Sequence, residues 1–138
     1  MDQKTILFLC TGNSCRSQMA EAIVNARYPG WKAFSAGTKP AGYIHEMAIE
    51  ALKEIGINHS GDSKHINDLP TKDFDLVVTV CNSAAEECPV WPGKAGRRVH
   101  HDFVDPAKAE GTTEERMQVF RQVRDEMQEV IPELLTSS

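Results

Sequence analysis

Eight consecutive positions, Cys10-Thr11-Gly12-Asn13-Ser14-Cys15-Arg16-Ser17, gather a thiol, a guanidinium, hydroxyls and small residues. That mixture suits capture of a tetrahedral oxyanion followed by nucleophilic attack on it. Gly12 and Asn13 tolerate positive φ, so the backbone N–H groups of Thr11 through Ser17 can turn inward and form an anion cradle. A helix starting near Ser17 would add its free N–H groups and its dipole. Arg16 brings a planar, permanently charged fork that matches two oxygens of the anion, which a lysine does not. Cys10 lies at the mouth of the same positive field. A free thiol is about 3% thiolate at pH 7, whereas a pKa near about 5.5 leaves about 97% ionised, roughly a thirtyfold gain in nucleophile. Ser17 can donate to that sulfur. The plain alternative is a strand-to-helix turn in which Cys10 only packs; the combination of small residues, Arg16 and Ser17 weighs against it. Neither nucleotide loop pattern is met, because Gly-Lys-Ser/Thr and Gly-x-Gly-x-x-Gly are both missing.

The four cysteines include a second pair, Cys81 and Cys88, separated by Asn82-Ser83-Ala84-Ala85-Glu86-Glu87. Structural zinc pairs usually stand two to four residues apart, so zinc fits this spacing poorly. A permanent disulfide would be opened by a reducing cytoplasmic pool. Redox catalysis is the reading that remains. As one helix, residues 81–88 would hold the two Cα atoms about 10.5 Å apart, against the 4.4–6.8 Å or so that a disulfide needs, so the segment must unwind or loop out. Its small and acidic residues offer little apolar area to oppose that. If the strands ending at Cys10 and Cys81 are neighbours, about 4.8 Å apart, Cys81 can also approach Cys10.

Strands alternate with helices along the chain. Lys4–Leu9 is a continuous apolar strand that stops at Cys10. Met19, Ala22, Ile23 and Ala26 recur at helical spacing after Ser17. Lys32–Ser35 is a weaker strand ending in Ala36-Gly37. Ile44, Met47, Ala48, Ala51, Leu52 and Ile55 form a helical stripe with Gly56 as its C-cap. Leu76–Val80 is the clearest strand, closed by Cys81, and Arg98–His100 is a short last one. Thr112 and Glu115 have capping-box spacing before Met117, Phe120, Val123, Met127 and Val130, and Pro132 should kink or end that helix. The pattern implies an α/β fold: one three-layer domain over residues 1–138, with right-handed crossovers, a mostly parallel sheet and helices on both faces. Ligands in such folds sit beyond the carboxyl ends of the strands, where Cys10 and Cys81 fall.

The 138 residues, 41% hydrophobic and 25% charged, describe an ordinary globular domain with core enough to need no metal or disulfide staple. With 15 basic against 20 acidic side chains the net charge is −5, which speaks against nucleic acid as partner. No apolar run reaches a membrane span or a signal-peptide core, so a cytoplasmic location and no membrane partner are expected.

Cys-x5-Arg-Ser between first strand and first helix resembles the low-molecular-weight protein tyrosine phosphatase superfamily. The run from Cys10 through Gln18-Met19-Ala20-Glu21 is similar to its thioredoxin-coupled arsenate reductase branch. The likeness extends to Ser35-Ala36-Gly37, Asp75 through Cys81, Cys88-Pro89, Asp105-Pro106 and Val123-Arg124-Asp125-Glu126. It implies a four-stranded sheet of order 2-1-3-4. It also implies that Cys10 attacks arsenate held by the loop and Arg16 while Asp105 protonates the leaving hydroxide, its proton retained by nearby like charge. Cys81 then attacks Cys10 and arsenite departs; Cys88 attacks Cys81, and the Cys81–Cys88 disulfide is reduced by thioredoxin. A glutaredoxin is the other candidate reductant. Phosphate or sulfate would mimic the substrate, no cofactor would be tightly bound, and a monomer is expected. Some relatives hold potassium with residues matching Asn13, Glu21 and Ser35 plus a carboxylate. His65 stands at the carboxylate position, which argues against the cation here and leaves an Asn13–Glu21 hydrogen bond to brace the loop.

Two other functions compete. A tyrosine phosphatase would use Cys10 and Asp105 but has no need of Cys81 or Cys88, and it would want aromatics where Ala107-Lys108-Ala109-Glu110-Gly111 follow. A redox-switched binding module would oxidise without arsenate. Of the remaining chemistry-bearing residues, Cys15 is expected to be a packed neutral residue whose backbone serves the cradle. The histidines share no spacing, and His100 and His101 need no role at a strand end. Trp31 and Trp91 are expected to pack. Arg116, Arg121 and Arg124 are expected on the polar face of the last helix, paired with acidic neighbours.

Overall fold

The structure, a computed structural model, describes residues 3–82 and 89–136. Strand β1 (Lys4–Cys10) leads to helix α1 (Arg16–Arg27), β2 (Trp31–Gly37), α2 (Glu46–Lys53), β3 (Asp73–Thr79), β4 (Lys94–His100) and α3 (Thr113–Thr136). The sheet runs β2-β1-β3-β4 and every pairing is parallel, as expected. Side chains alternate across β1: Ile6 and Phe8 enter one core with residues of α1, α2 and α3, while Leu7 and Leu9 enter a second with Ile66, Leu69 and Trp91. The expected helices on both faces are thus unequal. All three α-helices share one face, and among the described residues the other carries the short 3-10 turn Ile66–Asp68.

Several element ends depart from the sequence reading. β2 and β4 are longer than Lys32–Ser35 and Arg98–His100 suggest, because an edge strand is set by backbone pairing and needs no apolar run. Gly96 allows that pairing, since a Cβ there would come within 2.7 Å of the Asp75 carbonyl oxygen. β3 ends at Thr79, although Val80 still donates its N–H to the Leu9 carbonyl at 2.8 Å. α2 is shorter than its stripe: His45 caps it through Nδ1, Glu54 ends it, and Gly56 at φ +81° turns the chain two residues later. α3 does begin with the reciprocal Thr112–Glu115 pair at 3.1 Å in both directions. It does not end at Pro132. Buried Ile131 and Leu134, and a 2.8 Å bond from Arg97 to the Leu134 carbonyl, hold the last turn, so tertiary contacts outweigh the lost N–H.

Candidate active site

β1 delivers Cys10, 2% exposed, to the carboxyl edge of the sheet, and the chain then wraps around its sulfur. The Asn13 N–H donates to Cys10 Sγ at 3.2 Å, and Ser17 Oγ lies 2.9 Å from the same sulfur. Asn13 Nδ2 donates to Ser17 Oγ at 2.8 Å, which leaves the serine proton free to point at a thiolate. Within the loop, positive φ falls on Asn13 alone, at 49°; Gly12 does not use its freedom. α1 starts near Ser17, as expected. The helix begins one residue earlier, Ser17 is turned wholly inward, and no side chain caps α1. A helix N-terminus of this kind favours an anion through its dipole. Behind the loop, a Cβ on Gly37 would stand 2.3 Å from the Thr11 carbonyl oxygen and 2.8 Å from that of Cys10. Only glycine lets β2 lie this close.

Arg16 is buried, donates to the Phe103 carbonyl at 3.3 Å and sits 3.6 Å from Asp105. Asp105 has a double attachment. Its Oδ1 accepts the Ala107 N–H at 3.1 Å, capping the 3-10 turn Pro106–Lys108, while Oδ2 faces Arg16. The turn fixes the carboxylate at the rim of the loop. The Cys15 thiol is pushed up to about 12, first by burial, so it stays protonated and neutral as expected. Cys10 and Cys15 are free thiols; Cys81, fully buried just past β3, is disulfide-bonded. Leu9 pairs with Thr79, so Cys10 and Cys81 do sit at the ends of neighbouring strands. Cys88 lies outside the described residues, as does nearly all of the segment joining it to Cys81.

A layer behind the loop was not legible from spacing. Gln18 donates to Asn13 Oδ1 at 3.0 Å and to the Asp62 carbonyl at 2.9 Å, and its Oε1 accepts from His59 Nε2 at 2.9 Å. Ser63 Oγ donates to the Gly12 carbonyl at 3.1 Å, and the Lys64 N–H to Asn13 Oδ1 at 2.9 Å. The expected Asn13–Glu21 hydrogen bond is not formed among the described residues: Asn13 serves Ser17, Gln18 and Lys64, while Glu21 accepts from Ser35 Oγ at 3.1 Å. Burial pushes the Glu21 carboxyl up and the His59 imidazole down, the latter helped by Lys64. His65 caps Ile66–Asp68 through Nδ1. No cluster of three or more His, Cys, Asp or Glu suited to a metal occurs among the described residues.

A free cysteine ending the first strand, a cradle opening a helix and an arginine–aspartate pair across it form one constellation. Residues 5–137 match the model of the low molecular weight phosphotyrosine protein phosphatase family. The chain belongs to that family. Among its members, the arsenate reductase of Halalkalibacterium halodurans is 51% identical over 130 residues, covering 92% of this chain and 91% of that protein. The solved structure of the Archaeoglobus fulgidus arsenate reductase superposes with a TM-score of 0.69 at 31% identity, covering 92% of this chain and 98% of that one. The thioredoxin-dependent arsenate reductase of Corynebacterium glutamicum gives 0.66 at 25% identity, covering 99% of this chain and 64% of that one.

Proposed function

We propose that this phosphatase-family protein reduces arsenate to arsenite by a relay of three cysteines recycled by thioredoxin. The observation that carries the proposal is a second cysteine beside the nucleophile: Cys81 follows the strand that pairs with β1. Strand spacing and rise put its Cα about 6 Å from that of Cys10, inside the disulfide range. Hydrolysis of a phosphocysteine has no use for such a neighbour.

In the first step the Cys10 thiolate attacks arsenic bound by the N–H groups of residues 11–17 and by Arg16. An As–O bond breaks, and the oxygen leaves as hydroxide or water with a proton from Asp105. Cys81 then attacks Cys10 Sγ, its proton passing to solvent. The S–As bond breaks, its electron pair stays on arsenic, and arsenite leaves as the Cys10–Cys81 disulfide forms. Cys88 attacks Cys81, Cys10 is released as thiolate, and the Cys81–Cys88 disulfide passes to the reductant. A thioredoxin dithiol exchanges with it and is itself oxidised. Support for a docking partner there comes from Val90, two residues beyond Cys88 and 84% exposed.

The test is arsenate-dependent NADPH oxidation with thioredoxin and its reductase, run beside hydrolysis of an aryl phosphate. Cys10→Ser should abolish both reactions, whereas Cys81→Ser and Cys88→Ser should lose arsenate turnover and keep hydrolysis. Full arsenate turnover by the Cys88 variant would overturn the relay. Oxidation of the cysteines with no arsenate-dependent turnover would favour a redox-switched binding module instead.

A further inference from the structure

We infer that the Lys64 ammonium is a built-in counter-ion for the layer behind the loop, standing in for a monovalent metal cation. Its Nζ donates to the Ser35 carbonyl at 3.2 Å and to the Asp62 carbonyl at 2.9 Å, and its charge acts on the buried Glu21 carboxylate. The two carbonyls, one from β2 and one from the loop after α2, are hard oxygen donors of the kind that hold a small cation. A potassium ion does not fit beside the ammonium, which already holds these two carbonyls and would repel a second cation at close range. Without the ammonium the same oxygens would be open to an ion.

The position of this charge ties it to the loop. Lys64 reaches Asn13 through its backbone N–H and the Ser35 carbonyl through its side chain, so one residue links the loop after β1 to β2, and its charge also acts on Glu21 of α1. Glu21 needs a partner because burial disfavours its ionised form. His59, 3.8 Å from it, is held toward the neutral form and cannot supply that charge near neutral pH. Lys64 is thus a positioning residue that makes the cradle independent of dissolved potassium.

Sulfate affinity by calorimetry and the melting temperature, each in potassium chloride and in choline chloride at equal ionic strength, test this without relying on arsenate chemistry. The wild type should give the same values in both salts, as should Lys64→Arg, which keeps a cation. Lys64→Met should lose sulfate affinity about tenfold in choline, the scale of one charge-assisted hydrogen bond, and regain it in potassium but not in lithium. Three results would overturn the inference: tighter sulfate binding or a higher melting temperature of the wild type in potassium, a Lys64→Met protein unchanged in choline, or one impaired equally in all salts. If Lys64→Met does not fold, the wild-type comparison still decides. Loss of arsenate turnover in every protein would sink the proposed function while leaving this inference standing.

Discussion

At the scale of single residues, Arg16 shows why side-chain type matters more than charge. Its guanidinium is held by the Phe103 carbonyl and by Asp105, which aims the fork into the loop. A lysine at this position would keep the charge but could not make both contacts and still chelate two oxygens of an anion. Arg16→Lys is expected to lower kcat/KM by about 10- to 100-fold, the worth of one or two charge-assisted hydrogen bonds. Steady-state kinetics on arsenate and sulfate titration both read the loss. Ser17→Ala removes a hydroxyl that touches Cys10 Sγ and is itself oriented by Asn13. Cys10 should react more slowly with iodoacetamide in that variant, because a donor to its sulfur is lost. An unchanged rate would remove Ser17 from the support of Cys10.

At the scale of elements, two contacts decide whether the cradle keeps its shape. Gly37 lets β2 pass against the Cys10 and Thr11 carbonyls, and Gly37→Ala forces a methyl group into backbone that has nowhere to go. It is expected to cost about 1–3 kcal/mol of stability, as overpacking does, and to weaken sulfate binding in the same protein. The second contact joins α2 to α3. Arg121 and Arg124 are not merely paired with neighbours on one polar face: Arg124 is buried, donating at 2.9 Å to the Ala51 carbonyl and at 2.8 Å to Glu54, while Arg121 grips Glu54 with two nitrogens. These bonds hold the Glu54 carboxyl down at about 2. A folded-state pKa below the unfolded one means that the clamp stabilises fully above about pH 4.5, and that its contribution disappears as pH falls toward about 2. Melting curves of wild type and Glu54→Gln should therefore differ at neutral pH and converge in acid. A constant difference would place the variant's effect outside ionisation.

At the scale of the molecule, the site is built where the strand order of a parallel sheet reverses. β1 lies at the centre with β2 on one side and β3 on the other, so Cys10, Gly37 and Cys81 emerge together at one edge. The C-terminal side of the chain then returns over that edge: the segment after β4 brings Phe103 and Asp105 to Arg16, a sequence separation of nearly ninety residues closed by one loop. The histidines tie remote pieces together in the same manner. His101 meets Glu126 of α3, and His100 joins Thr79 of β3 to Asp102. Burial holds His59 below its ordinary pKa, so the unfolded chain binds a proton there more readily than the folded one. Stability should fall as pH drops below about 6.5, and His59→Gln, which keeps a donor to Gln18, should flatten that slope in a pH series of denaturant melts.

The sequence by itself determined the order of elements and gathered Cys10, Arg16 and Ser17 in one loop between the first strand and the first helix. Those features are local: a strand is an apolar run, a cap is a hydroxyl three residues from a glutamate, and an anion loop is a cluster of small residues before a helix. The family likeness added Asp105 and the cysteine order, which spacing alone leaves open. Tertiary structure decided what stands behind the loop. Gln18 was visible only as part of a motif, and His59 and Lys64 carried no signal, because their meaning depends on a loop folding back across some forty to fifty residues to Asn13 and Gln18. It also decided that Arg124 is buried and that Pro132 does not stop α3. Short-range patterns report backbone preference and periodicity. Whether a charge finds a partner, or a helix outlasts its proline, depends on groups far away in the chain, and only packing brings them within bonding distance.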